Sequence, residues 1–242
     1  MSIELLLLIL LVFIASVVGT LSGFGTSSIM VPVMLLFFPL PLTLLFAAIT
    51  HWFVDIWKMM FFRTGTRKWR LILWFAIPGT VASYIGARIS VSVPEDTLTR
   101  VLGIFFLAYV LFILLKREWK LPEHNLTAGV GGLASGLAAG IFGVGGAIRG
   151  AFLSAFSLPK EVYLFTSGAT ALVIDSTRIV GYLAGGTRLE GVFFWGLLIF
   201  IPFTLLGSWV AKYFVDRIPQ KYFRVFIGLF LAGVATKFLL FP

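Results

Sequence analysis

Apolar runs of membrane-spanning length recur from one end of this chain to the other, and a soluble fold could not bury them all. An α-helical span needs about 20 apolar residues for a hydrocarbon core of roughly 30 Å. Runs approaching or reaching that length occupy residues 3–21, 42–62, 71–91, 98–115, 128–142, 162–183, 192–214 and 223–241. Two more, 27–38 and 147–158, are too short to cross alone. With 60% hydrophobic residues and a mean hydropathy of +1.05, the chain reads as an all-α polytopic membrane protein. The first run makes a poor cleavable leader, because Glu4 precedes it with no Lys or Arg alongside, so residues 1–19 are expected to stay in the mature protein.

Both short runs follow a Gly-x-Gly and end at a proline turn. Residues 22–32 read Ser-Gly-Phe-Gly-Thr-Ser-Ser-Ile-Met-Val-Pro, and residues 142–152 read Phe-Gly-Val-Gly-Gly-Ala-Ile-Arg-Gly-Ala-Phe. Each is expected to break a helix at membrane depth. Backbone freed there must face protein or a polar cavity, because lipid supplies no hydrogen-bond partner.

The coincidence belongs to an internal repeat. At an offset of 120 residues Gly23 meets Gly143, Gly25 meets Gly145, Pro39 meets Pro159, Leu44 meets Leu164, Thr50 meets Thr170, Asp55 meets Asp175, Gly65 meets Gly185 and Lys58 meets Arg178. Offsets of 124 and 125 pair Pro78 with Pro202, Pro94 with Pro219 and Gly103 with Gly228. The chain therefore divides into halves 1–120 and 121–242. Basic residues mark cytoplasmic loops: Arg63, Arg67, Lys68 and Arg70 after the third run, then Lys116, Arg117 and Lys120 at the junction. In the second half the matching loop holds only Arg188 and Glu190, and the basic cluster moves one loop on, to Lys212, Arg217, Lys221 and Arg224. That shift predicts inverted halves, each a glycine-broken, re-entrant hairpin followed by three full spans, with both termini outside. The rival is eight crossings with parallel halves and residues 3–21 as a true span.

Ionisable groups inside a bilayer are costly, by about 2.5–3.5 kcal/mol even on insertion scales, and mark functional positions. His51, Asp55 and Lys58 share one helical face, as do Ser167, Asp175, Arg178 and Tyr182. In each set an acid precedes a base by three residues, which an intrahelical ion pair would explain, with Lys58 also able to snorkel to the interface. His51, Asp55, Lys58, Asp175 and Arg178 are expected to form a polar network or to couple a proton or cation.

Arg149 has no acid three or four positions away, and it follows the second glycine break at the start of a half-helix, where unpaired N–H groups attract anions. The competing expectation is a partner on another helix, Asp175 foremost. The first break carries hydroxyls instead, Ser22, Thr26, Ser27 and Ser28, able to donate to an oxyanion or to cap a helix. The expected anion-binding set is Arg149, Gly25, Thr26, Ser27, Ser28, Gly145 and Gly146, with Thr50 and Thr170. Gly132, Gly136 and Gly140 recur every four residues and read as a packing face.

Other chemistries find little support. Absence of cysteine excludes disulfides, thiolate metal sites and cysteine nucleophiles. His51 and His124 have no second ligand at metal spacing, so neither metal nor cofactor is expected. Ser135 within Gly-Leu-Ala-Ser-Gly gives a faint hydrolase signal without a matching histidine. The formal charge of +9 sits in loops between apolar runs, a positive-inside pattern rather than a nucleic-acid surface.

Gly23-Phe-Gly25 with Pro32, Gly143-Val-Gly145-Gly146, and residues 78–88 ending Ile-Gly-Ala-Arg resemble the TauE/SafE sulfite-exporter type of membrane permease, over most of the chain. The resemblance implies movement of sulfur-containing anions, such as sulfite or organosulfonates, across the cytoplasmic membrane. The chain departs from the family pattern in Gly-Phe-Gly-Thr-Ser-Ser and in Phe152, which stands where the first half has Pro32. An inside-negative potential of about 100 mV favours expulsion of each negative charge by roughly 2.3 kcal/mol, so export needs no coupling while import does. An anion exporter working by alternating access is therefore expected. A channel, a proton-coupled importer and a non-catalytic assembly protein are the alternatives.

Overall fold

The computed structural model describes residues 3–63, 67–115, 120–215, 217 and 220–240, with no side-chain description at 113–114 and 220–227. Gly65, Lys116, Arg117, Pro219 and the run end at Phe241 lie outside the described residues, as do the side chains of Lys221 and Arg224. Among the described residues all regular structure is helical: α1 (Ile3–Ser22), α2 (Ser27–Met34), α3 (Leu40–Phe61), α4 (Trp69–Ser90), α5 (Glu95–Leu115), α6 (Asn125–Phe142), α7 (Gly145–Ala155), α8 (Lys160–Ala184), α9 (Gly191–Trp195), α10 (Leu197–Phe214) and α11 (Gln220–Leu240). Helices α1, α3, α4, α6 and α10 are long and apolar enough to cross a membrane. The run expected at 192–214 is divided at Gly196, yet Gly196 N donates to Val192 O and Phe200 N to Gly196 O, so its hydrogen bonding continues through the division.

The polarity of the molecule is that of a protein in lipid. Leu6, Leu7, Leu10, Trp74, Ile77, Val81, Leu198, Leu206 and Trp209 are exposed, whereas His51, Asp55, Lys58, Arg149, Asp175 and Arg178 are all at most 2% exposed. Water around the molecule would reward the opposite arrangement. Burying six ionisable side chains while exposing apolar ones is stable only where the surroundings are hydrocarbon and the charges pair inside.

Helix α3 packs on α8, α4 on α6, α1 on α10, α5 on α11, and α2 touches α7. Every one of these joins an element before residue 120 to one after it. Under the repeat offset α1 matches α6 and α4 matches α10, so the α4–α6 and α1–α10 pairs are counterparts of each other. In the α4–α6 pair the glycine face does what its spacing predicts. A Cβ at Gly132, Gly136 or Gly140 would stand 2.0, 2.0 or 2.2 Å from the carbonyl oxygens of Phe75, Gly79 and Ser83, successive turns of α4. The two backbones touch, which leaves room for Cα–H···O contacts and none for side chains.

Helix α7 folds back along α6. Ser135 Oγ donates to Gly145 O at 2.9 Å, a Cβ on Gly131 would meet the Phe152 ring, and Leu121 N donates to Ala155 O at 3.0 Å, so the two run antiparallel as a hairpin. Ser135 is thereby occupied as the clasp of the hairpin rather than presented as a nucleophile. His124 caps α6, its Nδ1 accepting from Leu126 N at 3.2 Å.

Candidate functional site between the glycine breaks

The two breaks arise because glycine alone tolerates the required backbone. Gly25 has φ +84° and Gly143 has φ +73°, left-handed values that strain any residue with a Cβ. Each break ends a long helix and restarts a short one, and neither α2 nor α7 has a side-chain cap at its N-terminus. The breaks pack directly on one another: a Cβ at Gly146 would lie 1.8 Å from Phe24 O, and one at Gly150 would enter the Phe24 ring. Gly145 and Gly146 are thus required by close packing, Gly145 against Ser135 O and Ala139, rather than only by access of a ligand to backbone.

Freed carbonyls at both breaks take their donors from α8. At the first, Tyr163 OH donates to Ser22 O at 3.2 Å and Ser167 Oγ to Gly23 O at 3.1 Å. At the second, Tyr182 OH donates to Gly140 O at 2.7 Å and reaches Ala139 O, which also accepts from Gly143 N, at 3.1 Å, and Arg178 Nη1 donates to Gly143 O at 3.2 Å. This double service is what the membrane interior demands of broken helices. Thr43 and Ala47 of α3 and Phe62 just past its end match Tyr163, Ser167 and Tyr182 by offset; Ala47 and Phe62 have no hydroxyl to donate, and Thr43 Oγ1 has no partner.

Between α3 and α8 lies the ion network. Lys58 Nζ is 2.6 Å from Asp55 Oδ1, and Arg178 Nε is 2.8 Å from Asp175 Oδ1, so both intrahelical pairs expected from the three-residue spacing are present. Lys58 does not snorkel. It is fully buried, and a Cβ on Gly168 of α8 would crowd its stem, 3.1 Å from Lys58 Cε, so the missing side chain lets α8 cover it. His51 joins the two pairs, with Nδ1 2.7 Å from Asp175 Oδ2 and Nε2 3.5 Å from Asp55 Oδ2. Sequence spacing gave His51 no ligand partners, whereas the fold places Asp55 and Asp175 around it, with ligand atoms of all three within 4.8 Å of one another. Each carboxylate already faces a cation, Lys58 or Arg178, so charge balance makes this cluster an ion-pair network.

Arg149 stands apart from these pairs. The alternative of a partnership with Asp175 is not realised, since Asp175 is taken by Arg178 and His51. Arg149 Nε donates to Ser167 Oγ at 3.2 Å, its Nη2 has no hydrogen-bond partner, and among the described residues no carboxylate lies within ion-pair distance. It is 1% exposed. A Cβ on Gly25 would sit 2.6 Å from His51 Nε2 and 3.5 Å from Arg149 Nη2, so the absent side chain of Gly25 is the space that Arg149 and His51 share.

The hydroxyls divide. Thr26 Oγ1 is buried without a partner, Ser27 Oγ accepts from Arg178 Nη2 at 3.3 Å, and Ser28 Oγ turns back to Phe24 O at 3.0 Å. Thr50 Oγ1 and Thr170 Oγ1 make matching bonds to carbonyls one turn back, Phe46 O at 2.9 Å and Thr166 O at 2.8 Å, and are spent within their own helices. The structure therefore gathers Gly25, Thr26, Ser27, His51, Asp55, Lys58, Arg149, Asp175 and Arg178 into one buried region and leaves Thr50, Thr170 and Ser28 as internally satisfied. Sequence reasoning missed Tyr163; its signal was the four-residue step to Ser167 on the face that continues through Asp175, Arg178 and Tyr182.

The described residues thus form a helical membrane protein in which two glycine breaks interlock and one buried guanidinium, that of Arg149, has no carboxylate within ion-pair distance. The model of the TauE/SafE sulfite exporter family matches residues 8–238. The chain belongs to this family and is a multi-pass membrane transporter rather than a member of an enzyme family. Comparison with curated proteins and with solved structures gave no match.

Proposed function

We propose that the protein is a permease of the cytoplasmic membrane for small sulfur-containing oxyanions such as sulfite or organosulfonates, binding them between the two glycine breaks. The carrying observation is Arg149, which is buried with no carboxylate partner and with Nη2 unmet. A guanidinium in that condition is expensive unless an anion completes it, and its planar fork suits an oxyanion. Thr26 Oγ1 and the uncapped N–H groups at the starts of α2 and α7 supply the remaining donors.

Two inverted halves, 1–120 and 121–242, would rock about α3 and α8 to open this site to one side and then the other. The reciprocal packing of α4–α6 and α1–α10 and the antiparallel α6–α7 hairpin support that reading. Site residues at most 2% exposed in a closed arrangement favour alternating access over an open pore. Export follows the membrane potential, which expels anions.

Flux of sulfite and of a sulfonate into proteoliposomes tests the site. Arg149→Ala should abolish it, and Arg149→Lys, a point charge without the fork, should retain a small fraction. Normal flux in Arg149→Ala would overturn the assignment.

A further inference from the structure

His51 stands between two carboxylates on different helices, 2.7 Å from Asp175 Oδ2 at Nδ1 and 3.5 Å from Asp55 Oδ2 at Nε2. A neutral imidazole carries one N–H, so whichever nitrogen holds it, the other turns a lone pair toward a carboxylate. The structure shows the resulting deficit. Nδ1 is engaged by Asp175 Oδ2 at 2.7 Å, with Arg178 Nη2 3.3 Å away, whereas Nε2 and the Asp55 Oδ2 that faces it at 3.5 Å have no hydrogen bond. A second ring proton would convert both facings into donor–acceptor contacts.

Charge balance points the same way. Apart from tyrosines, which stay neutral near pH 7, the buried ionisable side chains among the described residues are Lys58, Arg149 and Arg178 against Asp55 and Asp175, with His51. With His51 neutral the closed site carries one excess positive charge, which a monovalent anion cancels; with His51 protonated it carries two, which a divalent anion cancels. Closing over an uncompensated charge is disfavoured in a low dielectric. We infer that His51 takes up a proton that travels with a divalent sulfur oxyanion and is not needed for a monovalent one.

This inference rests on Arg149 being the anion site. The groups facing His51 are Asp55, with Lys58 behind it, on its own helix; Asp175 and Arg178 from α8; Arg149 from α7 across Gly25; and Ser27 of α2, which shares Arg178 Nη2. Helices α10 and α1 also pack on α3, but their charged residues are only Lys212, over the Phe61 ring, and the exposed Glu4. No covalent bond changes: the proton binds an imidazole nitrogen from water on one side and leaves to water on the other.

Thiosulfate and methanesulfonate keep fixed charges of two and one between about pH 5 and 8, the range in which a histidine titrates, so any pH effect belongs to the protein. The full chain in proteoliposomes, with an internal pH indicator, should move protons one per anion with thiosulfate and none with methanesulfonate. Thiosulfate flux should fall about tenfold per pH unit on the alkaline side, while methanesulfonate flux stays flat. His51→Gln should abolish proton movement and lower the thiosulfate-to-methanesulfonate flux ratio by about tenfold. Equal proton flux with both anions, or undiminished proton flux in His51→Gln, overturns the inference. The wild-type stoichiometry decides without any variant having to fold. If both anions move without protons, only this inference fails; if wild-type protein moves neither, the permease reading fails with it.

Discussion

Replacing Gly136 by alanine tests whether α4 and α6 are held at backbone contact. The new Cβ would lie 2.0 Å from Gly79 O, 2.7 Å from Gly79 C and 2.7 Å from Gly79 Cα, all main-chain atoms with no rotamer to escape through. Ordinary carbon contacts begin near 3.5 Å, so the helices must part by about 1.5 Å or tilt. Parting also lengthens the neighbouring contacts at Gly132 and Gly140, so the cost should reach or exceed the roughly 1–3 kcal/mol of core overpacking. At roughly 2–4 °C per kcal/mol for a chain of this size, the melting temperature in detergent should drop by several degrees. Gly129→Ala is the matched control. It lies on the same helix, its Cβ would come no nearer than 3.8 Å to any neighbour, and the better helix propensity should leave stability equal or raised by up to about 1 kcal/mol. Melting of both variants by fluorescence-detected size exclusion decides the matter. Equal melting temperatures for Gly136→Ala and Gly129→Ala would refute the backbone-contact argument.

Two further outcomes follow from the buried pairs and the break carbonyls. Asp55→Asn or Lys58→Met alone should destabilise by about 3–5 kcal/mol, since each strands a buried charge, whereas the double variant should recover most of that loss; additive losses in thermal melts would show that the pair is not coupled. Tyr182→Phe removes the donor to Gly140 O and should cost about 1–3 kcal/mol, with faster hydrogen exchange confined to the last turn of α6; unchanged exchange there would mean that the hydroxyl does not hold the break.

What the chain discloses about itself depends on how local the determining geometry is. The breaks were legible because a left-handed backbone needs glycine, and Gly23, Gly25 and Gly143 adopt it. The Asp55–Lys58 and Asp175–Arg178 pairs were legible because a single helix turn fixes their approach. The link from His51 to Asp175 was not, since it depends on α3 meeting α8 at a particular height. The burial of Lys58 was hidden for the same reason: its position near a helix end suggested the interface, and only the missing side chain of Gly168, far along the chain, lets α8 cover it. Gly145 and Gly146 look like exposed backbone in sequence, and the structure gives them crowded neighbours, Ser135 O and Phe24 O, that no spacing rule reveals. Arg149 was the strongest local signal, an arginine without an acid in helical reach, and the fold leaves it without one.

The service that α8 gives to both breaks has a consequence for the order in which the molecule can be completed. Ser22 O waits for a hydroxyl 141 residues further along the chain and Gly23 O for one 144 residues further, while the carbonyls of the second break wait only 35 to 42. During synthesis the first glycine break therefore enters the bilayer long before its donors exist. It must be kept in water at the insertion machinery, or hold borrowed partners, until residue 167 has emerged and threaded back against it. Contacts of such long range form late. A nascent chain arrested before α8 should still present an unfinished, protease-accessible loop at residues 22–26, and one arrested after α8 should have sealed it.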